Sequence, residues 1–259
     1  MKPIPVPSEA ARYGAAVLYL PDLWVDARAW RPWGGFLGHR GWEGWILPLR
    51  DLDAGIVERA TAVASFIATL PAPPILLGEG AGAVVAAMVA RRVAVAAAVL
   101  LAPIVPGASR VGSLLVRRDA WWPLLTGGRV PPPSGGALHA VLPMEGKGAE
   151  AVYQLAPDSG ILLLDLARDR VKLGRLDVRS VVVAGAADAL TPLAASQAFA
   201  RMLGAEIEVC PGLPHALSTH PSWQTTAGWV HRWLVRGLDA TKLEFYAEAM
   251  ADRGDDGDD

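Results

Sequence analysis

Ile75-Leu76-Leu77-Gly78-Glu79-Gly80-Ala81-Gly82-Ala83-Val84-Val85 is an apolar run that breaks on alternating glycines and resumes as an alanine-rich segment. A short apolar run ending in glycine reads as a buried strand, and the alanine-rich continuation over 81–92 reads as a helix. The turn between them must be sharp. Its central residue, Gly80, then takes a strained backbone conformation, and its neighbours must lack bulk so that the helix passes close to the strand. Such a turn also aims backbone N–H groups from the start of a helix, where an anion is stabilised. By itself the string fits a phosphate-binding loop as well as a catalytic turn.

The same strand-then-helix rhythm extends in both directions. Short apolar runs at 15–20, 45–48, 74–77, 96–101, 181–184 and 207–209 read as strands, and helical patterns fill 29–39, 54–70, 81–92, 192–203 and 222–238. The strands are uniformly apolar rather than alternating, which predicts burial on both faces of a mostly parallel sheet flanked by helices. The segment 103–175 breaks the rhythm with Gly, Pro, Trp121-Trp122 and Pro131-Pro132-Pro133. An insertion there is expected to lie as a lid over the carboxyl ends of the strands, where open α/β sheets bind ligands.

Composition narrows the classes. A chain of 259 residues, 52% hydrophobic, buries a sizeable core, and residues 1–251 are expected to form a single domain with an acidic, solvated tail at 252–259. A formal net charge of −2 offers no basic patch for phosphate backbones, so nucleic acid is not an expected partner. The single cysteine, Cys210, rules out an internal disulfide and reads as a core residue. No apolar run has signal-peptide character or uninterrupted membrane-spanning length, which predicts a soluble, cytoplasmic protein without a membrane span. The composition does not bear on oligomeric state.

Three segments, in chain order, resemble the α/β-hydrolase superfamily over about 15–234. The string 78–82 is similar to the GxSxG nucleophile elbow at every position but the serine, which is Gly80. Gly185-Ala186-Ala187-Asp188-Ala189-Leu190-Thr191-Pro192 is similar to the segment carrying the triad acid, and Pro211-Gly212-Leu213-Pro214-His215-Ala216-Leu217 to the one carrying the histidine. The resemblance implies an α/β-hydrolase fold of the serine esterase and lipase type. It makes Asp188 and His215 a remnant dyad, Gly80 the nucleophile position, and Ala81, Leu23 and Trp24 the contributors to the oxyanion or ligand site. The loop Leu20-Pro21-Asp22-Leu23-Trp24 has Pro-Asp where relatives usually have His-Gly, and an Asp22 carboxylate turned inward would repel a developing oxyanion.

Glycine offers no atom for a covalent intermediate, so the acyl-enzyme route is closed at position 80. The leading expectation is therefore a pseudoenzyme that binds a small hydrophobic, acyl or aromatic ligand. One alternative is a hydrolase, lyase or cofactor-free enzyme that uses the His215–Asp188 dyad as a general base; another is a partner-binding structural module. Glu79 reads either as a general base or ligand contact or as a buried supporting carboxylate. Of the ten tryptophans, Trp24, Trp30, Trp33, Trp42 and Trp45 crowd the first quarter of the chain, where they line a pocket above Gly80 or simply fill the core. No cofactor and no metal are expected: His39, His139, His220 and His231 show no ligand spacing, His220 with His231 on one helix face excepted.

Overall fold

The computed structural model describes residues 1–115, 117–134, 155–168 and 171–237. Its strands are β1 (Ile4–Val6), β2 (Val17–Leu20), β3 (Gly44–Ile46), β4 (Ile75–Glu79), β5 (Ala97–Leu101), β6 (Arg129–Val130), β7 (Asp158–Ser159), β8 (Ser180–Gly185) and β9 (Glu206–Cys210). The α-helices are α1 (Arg31–Gly38), α2 (Ile56–Ile67), α3 (Ala81–Ala90), α4 (Val111–Leu114), α5 (Arg118–Thr126), α6 (Gly160–Ala167), α7 (Leu193–Leu203) and α8 (Trp223–Gly237).

Seven strands form one sheet in the order β1-β3-β2-β4-β5-β8-β9, parallel throughout except for β1. The chain runs from β2 outward to β3 and then returns to β4 on the other side of β2. The carboxyl ends of β2 and β4 therefore meet at a switch point in the strand order, where α/β sheets open a crevice. The loop carrying Asp22 leaves one of these strands and Gly80 leaves the other.

Alternation along each strand splits the core in two. Leu18, Leu20, Leu76, Ala98, Leu100 and Val182 face a layer containing residues of α2, α3, α6 and α7. Val17, Tyr19, Ile75, Leu77, Val99 and Val183 face α1 and α8. The periodicity of the helices matches this: α7 buries Ser196, Phe199, Ala200 and Leu203, one stripe at helical spacing. Helix α3 has no such stripe. Its residues 81–89 are all buried, because it is wedged between the sheet and α2.

Three expectations need correction. Strand β9 is an edge with Glu206 and Ile207 exposed, so it is not buried on both faces, and Cys210 at its end is half-buried rather than in the core. Strand β1, which the sequence reading did not contain, adds an antiparallel edge, where Pro5 is tolerated because edge N–H groups need no partner. His220 precedes α8 and shares no helix face with His231; it faces Ser222, while His231 accepts a hydrogen bond from Trp42 Nε1.

The inserted segment contributes α4, α5, the small β6–β7 ribbon and α6. It bridges the loops at the carboxyl end of the sheet: Arg110 N–H donates to Leu190 O beyond β8, and Trp24 N–H, beyond β2, donates to Asp158 Oδ2 in the ribbon. His139 and the acidic tail lie outside the described residues. Among the described residues no helix is long and apolar enough to cross a membrane.

Candidate functional site

Gly80 caps α3 with φ +55° and ψ −114°, a conformation that favours glycine. Its N–H donates to Leu101 O and its carbonyl accepts from Ile104 N–H, so the turn is pinned on both sides. Gly82 answers a different constraint: a Cβ there would overlap the carbonyl of Leu20, because α3 passes directly over the end of β2. The strand-to-helix turn thus has the shape the sequence predicted, with position 80 at its apex.

His215 reaches the apex from the loop after β9, on the far side of the sheet. Its Nδ1 lies 2.8 Å from Asp188 Oδ2, and Asp188 Oδ1 accepts the N–H groups of Leu190 and Thr191, each at 2.8 Å. Those two bonds fix the carboxylate, and the carboxylate fixes the ring. The imidazole is fully buried.

The other ring nitrogen faces a group that is not serine. Asp22 turns inward, only 5% exposed, and its Oδ2 stands 3.1 Å from His215 Nε2. Its Oδ1 accepts the N–H of Leu23 and the N–H of Ala81, both at 2.7 Å. A Cβ built on Gly80 would overlap the Asp22 carboxyl group itself. One carboxylate therefore fills both the space of a side chain at position 80 and the pair of backbone donors beside it. Burial alone would lower the His215 pKa, but the charges and hydrogen bonds of Asp188 and Asp22 outweigh it and hold the ring well above the ordinary imidazole range. Asp188, His215 and Asp22 thus form one buried hydrogen-bonded line, with a carboxyl group at each ring nitrogen.

The architecture around this triad has known counterparts. A monoacylglycerol lipase from Paleococcus ferrophilus superposes with a TM-score of 0.71 at 17% identity, covering 92% of this chain and 100% of that one. A thermophilic esterase from Thermogutta terrifontis gives 0.66 at 17% identity, covering 92% and 99%. MenH from S. aureus gives 0.70 at 12% identity, again covering 92% and 99%. The chain has the α/β-hydrolase fold. No protein-family model matches the sequence, and no curated protein matches it.

Within this hydrolase fold, the remaining residues singled out by sequence sort cleanly. Glu79 is buried against the histidine loop, where Oε1 accepts Ser218 N–H at 2.7 Å and Oε2 takes the Ser218 hydroxyl. Burial and the negative charge of Asp22 push it up to about 7, against the pull of the Ser218 bonds. Trp33 Nε1 donates to Ser218 O at 2.8 Å, so Glu79 and Trp33 together clamp the loop that carries His215.

Trp30, Trp33 and Trp42 are packed in the α1/α8 side of the core and Trp24 in the other, so they form no shared wall above Gly80. A cavity of about 200 Å³ lies beside the Asp22 loop, lined by Lys2, Pro21, Val25, Asp26, Arg28 and Arg50 among others, and no tryptophan borders it. Trp24 has a different position from the one expected. It sits at φ +60°, unusual for a bulky residue, and Asp158, Val130, Ala156 and Arg50 all hydrogen-bond to it. Asp158 is fully buried and also pairs with Arg59.

Sequence reasoning did not select Asp158, Arg59 or Ser218. The only signal was a lone Asp in an irregular segment and an Arg on the buried stripe of α2, neither of which reveals its partner. Among the described residues no group of three or more His, Cys, Asp or Glu is placed to hold a metal ion.

Proposed function

We propose that this hydrolase-fold protein carries out no serine-type acyl-enzyme hydrolysis and instead binds a small, largely apolar ligand at the centre around His215. The observation that carries this reading is the Asp22 carboxylate, which takes both N–H donors that an acyl oxyanion would need and stands in the space of the missing nucleophile. Removing even one oxyanion donor costs roughly 10²–10³ in rate in serine hydrolases; here both are taken and the nucleophile is absent. The general-base alternative has less support, because both ring nitrogens of the buried His215 are already engaged, Nδ1 by Asp188 and Nε2 by Asp22. The reading treats residues 1–251 as one domain working in the cytoplasm.

Purified protein incubated with p-nitrophenyl acetate and butyrate is expected to release nitrophenol at the buffer rate. Turnover well above buffer, abolished by His215→Ala, would refute the proposal. A second reading, a partner-binding module, draws on the lid helix α5, where Trp121, Trp122 and Leu125 are 60%, 75% and 79% exposed. A protein that sediments as a monomer and captures no partner counts against it.

A further inference from the structure

We propose that the cavity beside the Asp22 loop is a binding site for a small organic oxyanion, a carboxylate or a phosphate monoester carried on an apolar body. The site is separate from the centre around His215, since neither Asp22 nor His215 is among the residues that line it.

Two loops build the cavity. One follows β2 and supplies Pro21, Val25, Asp26 and Arg28; the other follows β3 and supplies Pro48, Leu49, Arg50 and Asp51. The parallel pairing of β2 with β3 sets these loops side by side, and Lys2 and Ile4, at the start of edge strand β1, complete the lining. The volume of about 200 Å³ is many times the roughly 10–15 Å³ that one water needs, and it lies below the roughly 300–1,000 Å³ of pockets for drug-sized molecules. The occupant is therefore a molecule of few heavy atoms.

The charges are ordered around Asp26. Its Oδ1 accepts the backbone N–H of Arg28 at 2.8 Å and Arg28 Nε at 2.9 Å, while Oδ2 accepts Arg28 Nη2 at 3.2 Å and Arg50 Nη2 at 3.0 Å. With two bonds on each oxygen, this carboxylate has little acceptor capacity left for a ligand. Its effect is to fix two guanidinium groups in the lining. Arg50 is tied further, to Trp24 O at 2.9 Å. Arg28 is 54% exposed, and its Nη1 has no acceptor among the described residues. Lys2 adds an exposed ammonium that forms no ion pair among the described residues.

Three cations thus line the cavity with two carboxylates, of which Asp26 is saturated and Asp51 is exposed to water. A neutral or cationic occupant would leave the N–H groups of Arg28 and Lys2 unused, whereas an oxyanion takes charge-assisted bonds from both. Pro21, Val25 and Leu49 are buried and offer apolar surface to the carbon skeleton of the same ligand. The cavity also abuts the segment that carries Asp22. Pro21 lines it, and Arg50 holds Trp24 and Asp26 of that loop, so an occupant braces the loop whose Asp22 meets His215.

Full-length isotopically labelled protein, titrated with sodium benzoate and with phenyl phosphate, tests the site, and benzamide serves as the neutral control. Amide NMR is expected to show saturable shifts at Val25, Asp26 and Arg28 and at Leu49, Arg50 and Asp51, with a Kd of about 1 mM or below for at least one anion. Benzamide should give none. Arg28→Glu and Lys2→Glu each put a carboxylate where the anion would be held, and each should weaken binding at least about 10-fold. His215→Ala should bind as the wild type does.

No saturable shift with either anion, equal shifts with benzamide, or unchanged affinity in either charge-reversed variant would overturn the proposal. The first two outcomes are read on the wild-type chain, so a misfolded variant cannot obscure them. Binding that survives both reversals but is lost in His215→Ala would overturn this site while supporting the earlier reading of a ligand at the buried imidazole. Nitrophenol release in the ester assay would refute that earlier reading and leave this one standing.

Discussion

The two sides of His215 are held differently. On the Nδ1 side, Asp188 is held by two backbone N–H groups and in turn orients the ring, as a hydrolytic triad requires. On the Nε2 side residue 80 is glycine, and the group that meets the ring comes from the loop after another strand, β2. The contrast teaches that two carboxyl groups from loops far apart in the chain can converge on one buried ring. What the two sides share is a carboxyl oxygen within hydrogen-bond reach of each ring nitrogen, Asp188 at Nδ1 and Asp22 at Nε2.

The largest expected effect comes from breaking the new side and rebuilding the old one. Asp22→Gly combined with Gly80→Ser should place a serine facing His215 and free the Leu23 and Ala81 N–H groups. Ester hydrolysis is expected to rise at least about 10³-fold above buffer. Gly80→Ser alone should gain nothing, because its side chain would meet the Asp22 carboxyl. Crowding there should cost about 1–3 kcal/mol, read from urea unfolding.

Next comes the tie that holds the Asp22 loop to the lid. Asp158→Ala leaves Arg59 buried without its ion-pair partner and frees Trp24 N–H from its acceptor. A loss of about 3–5 kcal/mol is expected in urea unfolding. A loss below about 1 kcal/mol would show that the clamp contributes little to the fold.

A smaller effect sharpens the electrostatic half of the comparison. Asp22→Asn removes one of the two charges that raise the His215 pKa, so the imidazole titration followed by NMR should move downward. An unchanged titration would mean that Asp188 alone sets it.

The smallest effect is in the pH dependence of stability. Glu79 and His215 both bind protons more tightly in the folded than in the unfolded chain. Each therefore stabilises the fold fully below its unfolded pKa, and that contribution is lost as pH rises through the folded value. For Glu79 the window runs from its ordinary 4.5 to about 7. Unfolding free energy should fall with rising pH across it, and Glu79→Gln should flatten that slope. The His215 contribution fades at higher pH, beyond the ordinary imidazole range.

Much of this molecule was legible in one sequence. The glycines around position 80, the apolar strands and the order of turn, acid and histidine located β4, α3, Asp188 and His215, because each is set by local backbone demands or by hydrophobic period. The direction of the Asp22 side chain was open: the sequence identified its charge in the loop but not whether it faced solvent or His215. Edge strands β1 and β9 were misjudged or missed because three to five residues carry little periodic signal. Asp158, Arg59 and Ser218 were invisible, since each has its role only through a partner distant in the chain.

The sequence by itself determined the sheet, the tight turn and the glycine at its apex. Strand and helix patterns follow from nearest-neighbour sterics and from which residues leave water, and both are written in local order. Only the tertiary structure decided what stands beside the apex at Gly80. That depends on strands β2 and β4 lying side by side and on a loop returning from β9, and the Asp22–His215 contact, 193 residues apart in the chain, leaves no local trace. Asp22 then takes the site because a buried imidazole and two converging N–H groups bind a carboxylate more favourably than they bear empty space.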